Sequence, residues 1–131
     1  MIVNGILKIC DFGNARIIKN NGVIIQKIRG SELFLSPIIF KGLHSGMTTI
    51  RHNTYKSDVF SLGMCFFLAA SLGYDGLNII REIYDMNIIR KVLNQCLGKR
   101  YSQNLINLLL NMLQVDENKR PDFIQLEIMF S

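Results

Sequence analysis

The stretch from Val59 to Tyr74 contains no charged residue, and it carries apolar side chains in every direction around a helix. Val59, Phe60, Leu62, Met64, Cys65, Phe66, Phe67, Leu68 and Leu72 leave it no polar face. A helix apolar all round is stable only when neighbours cover several of its sides. The stretch is shorter than the ~20 apolar residues that cross a bilayer. Ser61, Gly63 and Ser71 interrupt it, so it reads as a buried helix rather than a membrane span. Asp58 stands where a short acceptor caps the first turn, and Gly73 stands where such a helix ends.

The chain of 131 residues has room for one hydrophobic core, and the pattern downstream supplies its other helices. Asp75-Gly76 opens a helix running to about Tyr84. Asp85 opens another, whose Ile89, Val92, Leu93, Cys96 and Leu97 fall on one face before Gly98. Ser102 caps a helix striped by Leu105, Leu108, Leu109 and Met112, and Asp122 with Gln125 forms a capping box after Pro121. Upstream, Asn4-Gly5 predicts a hairpin turn into a strand at Ile6–Cys10. A second hairpin is expected from Arg16 to Lys19 and Val23 to Ile28 around Asn20-Asn21-Gly22. The segment from Asp11 to Pro37 should be mostly extended, followed by one helical turn near Ile39 to Leu43 and a loop to Ser57. The expected class is mainly α, with a short β-hairpin region at the N-terminal end.

Net charge is +5, but the basic residues are scattered in small groups, without the interleaved basic and aromatic surface that nucleic-acid binding uses. Nucleic acid and membrane are therefore not expected partners. Cys10, Cys65 and Cys96 are odd in number and form no CxxC pair, which argues against disulfides and zinc and for a reducing, cytoplasmic setting. No secretory signal is visible after Met1. His44 and His52 fall in a polar stretch without ligand spacing and read as solvated loop residues.

Four segments in order carry the chemistry: Lys8-Ile9-Cys10-Asp11-Phe12-Gly13, Gly30-Ser31-Glu32-Leu33-Phe34-Leu35-Ser36-Pro37, Ser57-Asp58-Val59-Phe60-Ser61-Leu62-Gly63 and Lys119-Arg120-Pro121. Together they resemble the eukaryotic protein kinase family, Ser/Thr type, from its DFG strand to its last helix. The resemblance implies a partial kinase domain over residues 1–131, the C-terminal lobe alone. Residues 1–38 would be the DFG strand and activation segment, and residues 39–131 the helical subdomain. It implies ATP and magnesium as cofactors of the full-length protein and a protein Ser or Thr as substrate.

Residue by residue, the resemblance makes Asp11 the magnesium ligand facing the nucleotide phosphates, because a hard cation takes carboxylate oxygen. It makes Cys10 the floor of the nucleotide pocket, Phe12 a core-packing switch of the DFG turn and Gly13 its pivot. Ser31 would brace the catalytic loop, Pro37 would end the substrate-docking segment, and Asp58 would hold the catalytic loop's backbone as well as cap its own helix. Asn14 to Gly30 contains no Ser, Thr or Tyr, so a phosphorylation switch there is excluded.

The family's Ala-Pro-Glu reads Ser36-Pro37-Ile38 here, so Arg120 has lost the carboxylate with which it forms a buried pair. Either Glu32, Asp116 or Glu117 substitutes, or Arg120 turns out to water. The sequence has no Gly-rich phosphate loop, no Val-Ala-Ile-Lys strand and no His-Arg-Asp loop, leaving Asp11 alone of the phosphoryl-transfer groups. The chain by itself is expected to be inactive. The alternative is a non-catalytic binding module, with a protein partner covering the apolar helix.

Overall fold

A computed structural model of the chain describes residues 1–19 and 21–131. Strand β1 (Ile2–Val3) turns at Asn4-Gly5 into β2 (Ile6–Leu7), pairing Ile2 with Leu7 and Val3 with Ile6. Both turn residues are left-handed, with φ of 50° and 77°, as a two-residue hairpin turn requires. Next come β3 (Val23–Lys27), α1 (Pro37–His44), β4 (Thr49–Asn53) and α2 (Thr54–Ser71). The remainder is α3 (Asp75–Ile83), α4 (Met86–Leu97), α5 (Gln103–Met112) and α6 (Phe123–Phe130). The fold is mainly α, with two small antiparallel sheets among the described residues. No helix among them is long and apolar enough to cross a membrane.

Caps close these helices as the sequence expects. The Asp85 carboxylate accepts from the Asn87 and Ile88 amides, Ser102 accepts from the Leu105 amide, and Asp122 with Gln125 forms a reciprocal capping box. Asp58 is the exception. The cap of α2 is Asn53, whose Oδ1 accepts from the Lys56 amide at 3.2 Å, and Asp58 lies in the second turn of the helix. Strand β4 runs straight into α2, so the last strand residue does the capping.

That strand replaces the loop expected before Ser57, and it also displaces the second hairpin. The hairpin's turn residue Asn20 lies outside the described residues. Strand β3 pairs instead with β4, from Val23 opposite Asn53 to Lys27 opposite Thr49. The partner lies across α1 in the chain, and such distant pairing leaves no turn signal to read. Thr54 fixes the register by donating both its amide and its hydroxyl to the Gly22 carbonyl.

Helix α2 is the centre of the core. Phe60, Met64 and Phe67 pack with Leu77 and Ile80 of α3, Ile89 and Leu93 of α4, and Ile106 and Leu109 of α5. Val59 meets Met112 and Leu126 on another side. The helix is not covered all round, however. Leu62, Cys65, Phe66, Ala69 and Leu72 form an exposed stripe along it. Residues 1–17 also lie outside the core, with Ile2, Leu7, Ile9 and Ile17 exposed.

Where α2 and α5 cross, Gly63 allows the closest approach, since a Cβ there would stand 2.9 Å from Met112 Cβ and 3.1 Å from Leu113 Cδ2. An Ala in an open helix interior would be better than Gly by up to ~1 kcal/mol. Here Met112 Cβ cannot swing away from its own backbone, so overpacking costing ~1–3 kcal/mol outweighs that gain. Gly63→Ala should lower stability by roughly 1–2 kcal/mol in urea unfolding, and an unchanged or raised midpoint would contradict this packing.

Candidate functional site

The DFG segment sits at the surface. Asp11 is exposed and left-handed, with φ of 63°, and its Oδ1 accepts from the Gly13 amide at 3.4 Å, capping a single 3₁₀ turn over Phe12–Asn14 that the Ala15 amide closes by donating to the Phe12 carbonyl at 3.0 Å. Asp tolerates this backbone because its short side chain bonds locally. Phe12 is 67 % exposed, contrary to its expected place in the core, because no apolar surface of the described chain lies against it. Cys10 is likewise exposed, and it lines neither of the two clefts named next. Clefts of about 390 and 380 Å³ lie elsewhere, the first lined by Lys56, Lys119, Pro121 and Met129 and the second by Arg90, Gln114 and Phe130.

Magnesium needs several oxygen ligands, and ATP needs cations along its phosphates. Asp11 offers one carboxylate, already engaged by the Gly13 amide, and no group of three His, Cys, Asp or Glu side chains gathers anywhere among the described residues. Among the described residues, Asp11 therefore has no cluster of such side chains around it to complete a magnesium site.

The segment from Gly30 to Pro37 is built differently. Gly30 turns with φ of 116°, and a 3₁₀ turn over Glu32–Phe34 follows, closed by the Phe34 amide donating to the Ser31 carbonyl at 2.9 Å. Ser31 itself is exposed, and its hydroxyl forms no cap. Leu35 and Pro37 are buried, and Pro37 is the first residue of α1, where its missing N–H and fixed φ suit a helix start. The Ser61 hydroxyl of α2 donates to the Phe34 carbonyl at 2.8 Å, and Ser36 Oγ lies 3.0 Å from Ser57 Oγ. This segment is thus fixed to the central helix at two points.

His52 belongs to this site, not to a solvated loop. It is 2 % exposed on β4, with Nδ1 2.7 Å from Ser57 Oγ and Nε2 2.8 Å from Gln26 Nε2. Burial lowers its pKa, against raising effects of the Glu117 carboxylate and of a backbone hydrogen bond at Asn53, so the imidazole is neutral near pH 7. Ile50 and His52 alternate with exposed Thr49 and Arg51, a period of two that is the only sequence sign of this strand. His44 does lie at the surface, where Nε2 bonds the Glu32 carboxylate and the ring packs on Phe40.

Neither expected fate of Arg120 is realised. It is 1 % exposed, and Nε donates to the Gln114 carbonyl at 2.8 Å, Nη1 to the Lys56 carbonyl at 3.0 Å and Nη2 to the Val115 carbonyl at 3.3 Å. Its guanidinium carbon lies 4.9 Å from the Phe60 ring centroid. Three backbone dipoles and an aromatic face stand in for the missing carboxylate, while Glu117 and Asp116 act only from a distance. Burial lowers its pKa to about 10, which leaves it charged at neutral pH. Asp58 bonds no other side chain among the described residues, and partial crowding raises its pKa.

Comparison with known proteins identifies this arrangement. The family model "Protein kinase domain" matches residues 1–128, so the chain belongs to the protein kinase family. It is 29 % identical to the serine/threonine-protein kinase Nek4 of Mus musculus over 88 % of the chain and 14 % of that relative. It is 29 % identical to the G2-specific protein kinase fin1 of Schizosaccharomyces pombe, over 94 % of the chain and 16 % of the relative. It is 27 % identical to the serine/threonine-protein kinase STY46 of Arabidopsis thaliana, over 94 % of the chain and 20 % of the relative. The chain therefore spans a fifth or less of these relatives' length. No solved structure matches it at comparable significance. Among the described residues, the six helices and two short sheets make a mainly α fold, consistent with a part of a kinase domain.

Removing the Arg120 donors would leave three carbonyls short of partners in a buried place, each costing ~1–3 kcal/mol. Arg120→Met should therefore lose about 3 kcal/mol or more in denaturant unfolding, even though no ion pair is broken. A loss below ~1 kcal/mol would mean that those carbonyls are hydrated.

Proposed function

We propose that the chain is the C-terminal lobe of a Ser/Thr protein kinase domain, whose whole protein transfers phosphate from ATP to Ser or Thr of a protein. Residues 1–38 serve as the DFG strand and activation segment, and residues 39–131 as the helical subdomain. The observation that carries this reading is the segment Ser31–Pro37, seated on α2 through Ser61 and Ser57 as a substrate-docking loop has to be. The Ser/Thr assignment is supported by relatives named as serine/threonine kinases.

In this reading Asp11 holds magnesium and Cys10 lines the nucleotide pocket once the rest of the domain surrounds them. Phe12 and Gly13 set the turn that aims Asp11, Ser31 contacts the catalytic loop, and Pro37, Asp58 and Arg120 brace the lobe. The exposure of Cys10, Asp11 and Phe12 agrees with this, since all three present themselves to a surface outside the helical core.

Alone, without the family's Gly-rich phosphate loop, nucleotide lysine and His-Arg-Asp loop, the chain should not phosphorylate a protein. Incorporation of labelled phosphate that Asp11→Ala abolishes would show the opposite. ATP with magnesium should bind weakly, and calorimetry giving a micromolar Kd for the isolated chain would contradict that.

The exposed stripe Leu62, Phe66 and Leu72 supports a second reading, a non-catalytic module whose partner covers α2. Large apolar side chains facing water favour association, each left unburied at ~1.5–3 kcal/mol. The isolated chain should associate or bind an apolar dye, and co-expression with the remaining half of a kinase domain should restore a soluble species. A monomer that unfolds cooperatively in plain buffer would favour the independent module.

A further inference from the structure

We infer that His52 is the positioning residue of the docking segment, acting through Ser57 on Ser36 to hold the loop that the missing Glu partner of Arg120 leaves unanchored. The naming of that segment rests on the kinase reading above, but the relay itself does not.

Two segments distant in the chain meet at this point: the β4–α2 junction, with His52 and Ser57 five residues apart, and the joint between the docking turn and α1, with Ser36. All three side chains are buried, and Ser36 is fully so. A buried hydroxyl is costly unless it is hydrogen-bonded, so each of these depends on the next.

The donor order follows from chemistry. A Gln amide nitrogen carries only hydrogens, so Gln26 Nε2 donates at 2.8 Å to a lone pair on His52 Nε2. The neutral ring then bears its proton on Nδ1, which donates to Ser57 Oγ at 2.7 Å, and the Ser57 and Ser36 hydroxyls share a hydrogen bond at 3.0 Å in which either can donate. Each donor in such a chain polarises the next. Ser57 is closed to solvent, so the relay positions a backbone and offers no nucleophile to a substrate.

Its output is the backbone of Ser36, whose carbonyl accepts the Phe40 amide at 2.9 Å and so fixes the entry of α1. One turn further along α2, Ser61 holds the Phe34 carbonyl. The loop is thus latched on both sides of Leu35. Arg120 bonds no residue of the docking segment itself, because its three bonds go to Gln114, Val115 and Lys56.

Hydrogen–deuterium exchange of the full chain, read by mass spectrometry, tests the relay in monomer or associated form alike. His52→Phe, Ser57→Ala and Ser36→Ala should each speed exchange of peptides covering residues 31–40 about five- to tenfold, the loss of one buried hydrogen bond, while peptides of α4 stay unchanged. His52→Asn, whose amide can put a donor near the Nδ1 position, should restore slow exchange. The double variant His52→Phe with Ser36→Ala should be no faster than either single one, since one relay can be broken only once. Unchanged exchange at residues 31–40, equal acceleration throughout the chain, additive effects in the double variant, or failure of His52→Asn to rescue would each overturn the proposal. Absence of kinase activity in a longer protein would overturn the kinase reading and leave these results as they stand.

Discussion

A helix of 18 residues with apolar side chains on most of its surface can persist in water only where other elements shield it, and α2 imposes that condition on the whole chain. Helices α3, α4 and α5 each surrender their apolar faces to Phe60, Met64 and Phe67, so three amphipathic helices that would be marginal alone become one core. The polar residues of α2 are spent in the same way. Ser57 and Ser61 reach the docking segment, and the Lys56 carbonyl receives Arg120, so the helix organises polar contacts as well as apolar ones.

Arg120 shows how a protein can keep a buried cation without an ion pair. Desolvating a guanidinium is expensive, and a carboxylate is the usual remedy. Here the first turn of α2 and the loop after α5 supply it with carbonyl oxygens, and Phe60 supplies a π face. Charge has been exchanged for dipoles. Because Ile38 asks nothing of Arg120, the docking segment and the Arg120 anchor are separate structures held by α2 from different sides.

The two halves of the candidate site therefore differ physically. The docking segment is sunk into the fold, with Leu35, Ser36 and Pro37 buried, so its geometry is set by the core. The DFG turn lies at the surface, held by the Gly13 amide on the Asp11 carboxylate, the Ala15 amide on the Phe12 carbonyl and the Arg29 guanidinium on the Asn14 side chain, with no buried residue of its own. The same contrast separates the covered side of α2 from the stripe at Leu62 and Phe66.

What the sequence by itself determined is local: caps at Asp85, Ser102 and Asp122, the Asn4-Gly5 turn, the helical faces of α3 to α5, and the motif order that marks the family. Each of these depends on residues within a few positions of one another, so spacing alone exposes it. What the tertiary structure decided is everything that depends on a partner distant in the chain. The β3–β4 pairing crosses α1, and from it follow the cap at Asn53 rather than Asp58 and the burial of His52. The carbonyls around Arg120 come from residues 56, 114 and 115, and no carboxylate motif could have announced them, because a backbone acceptor is present at every residue and only the fold chooses which three converge.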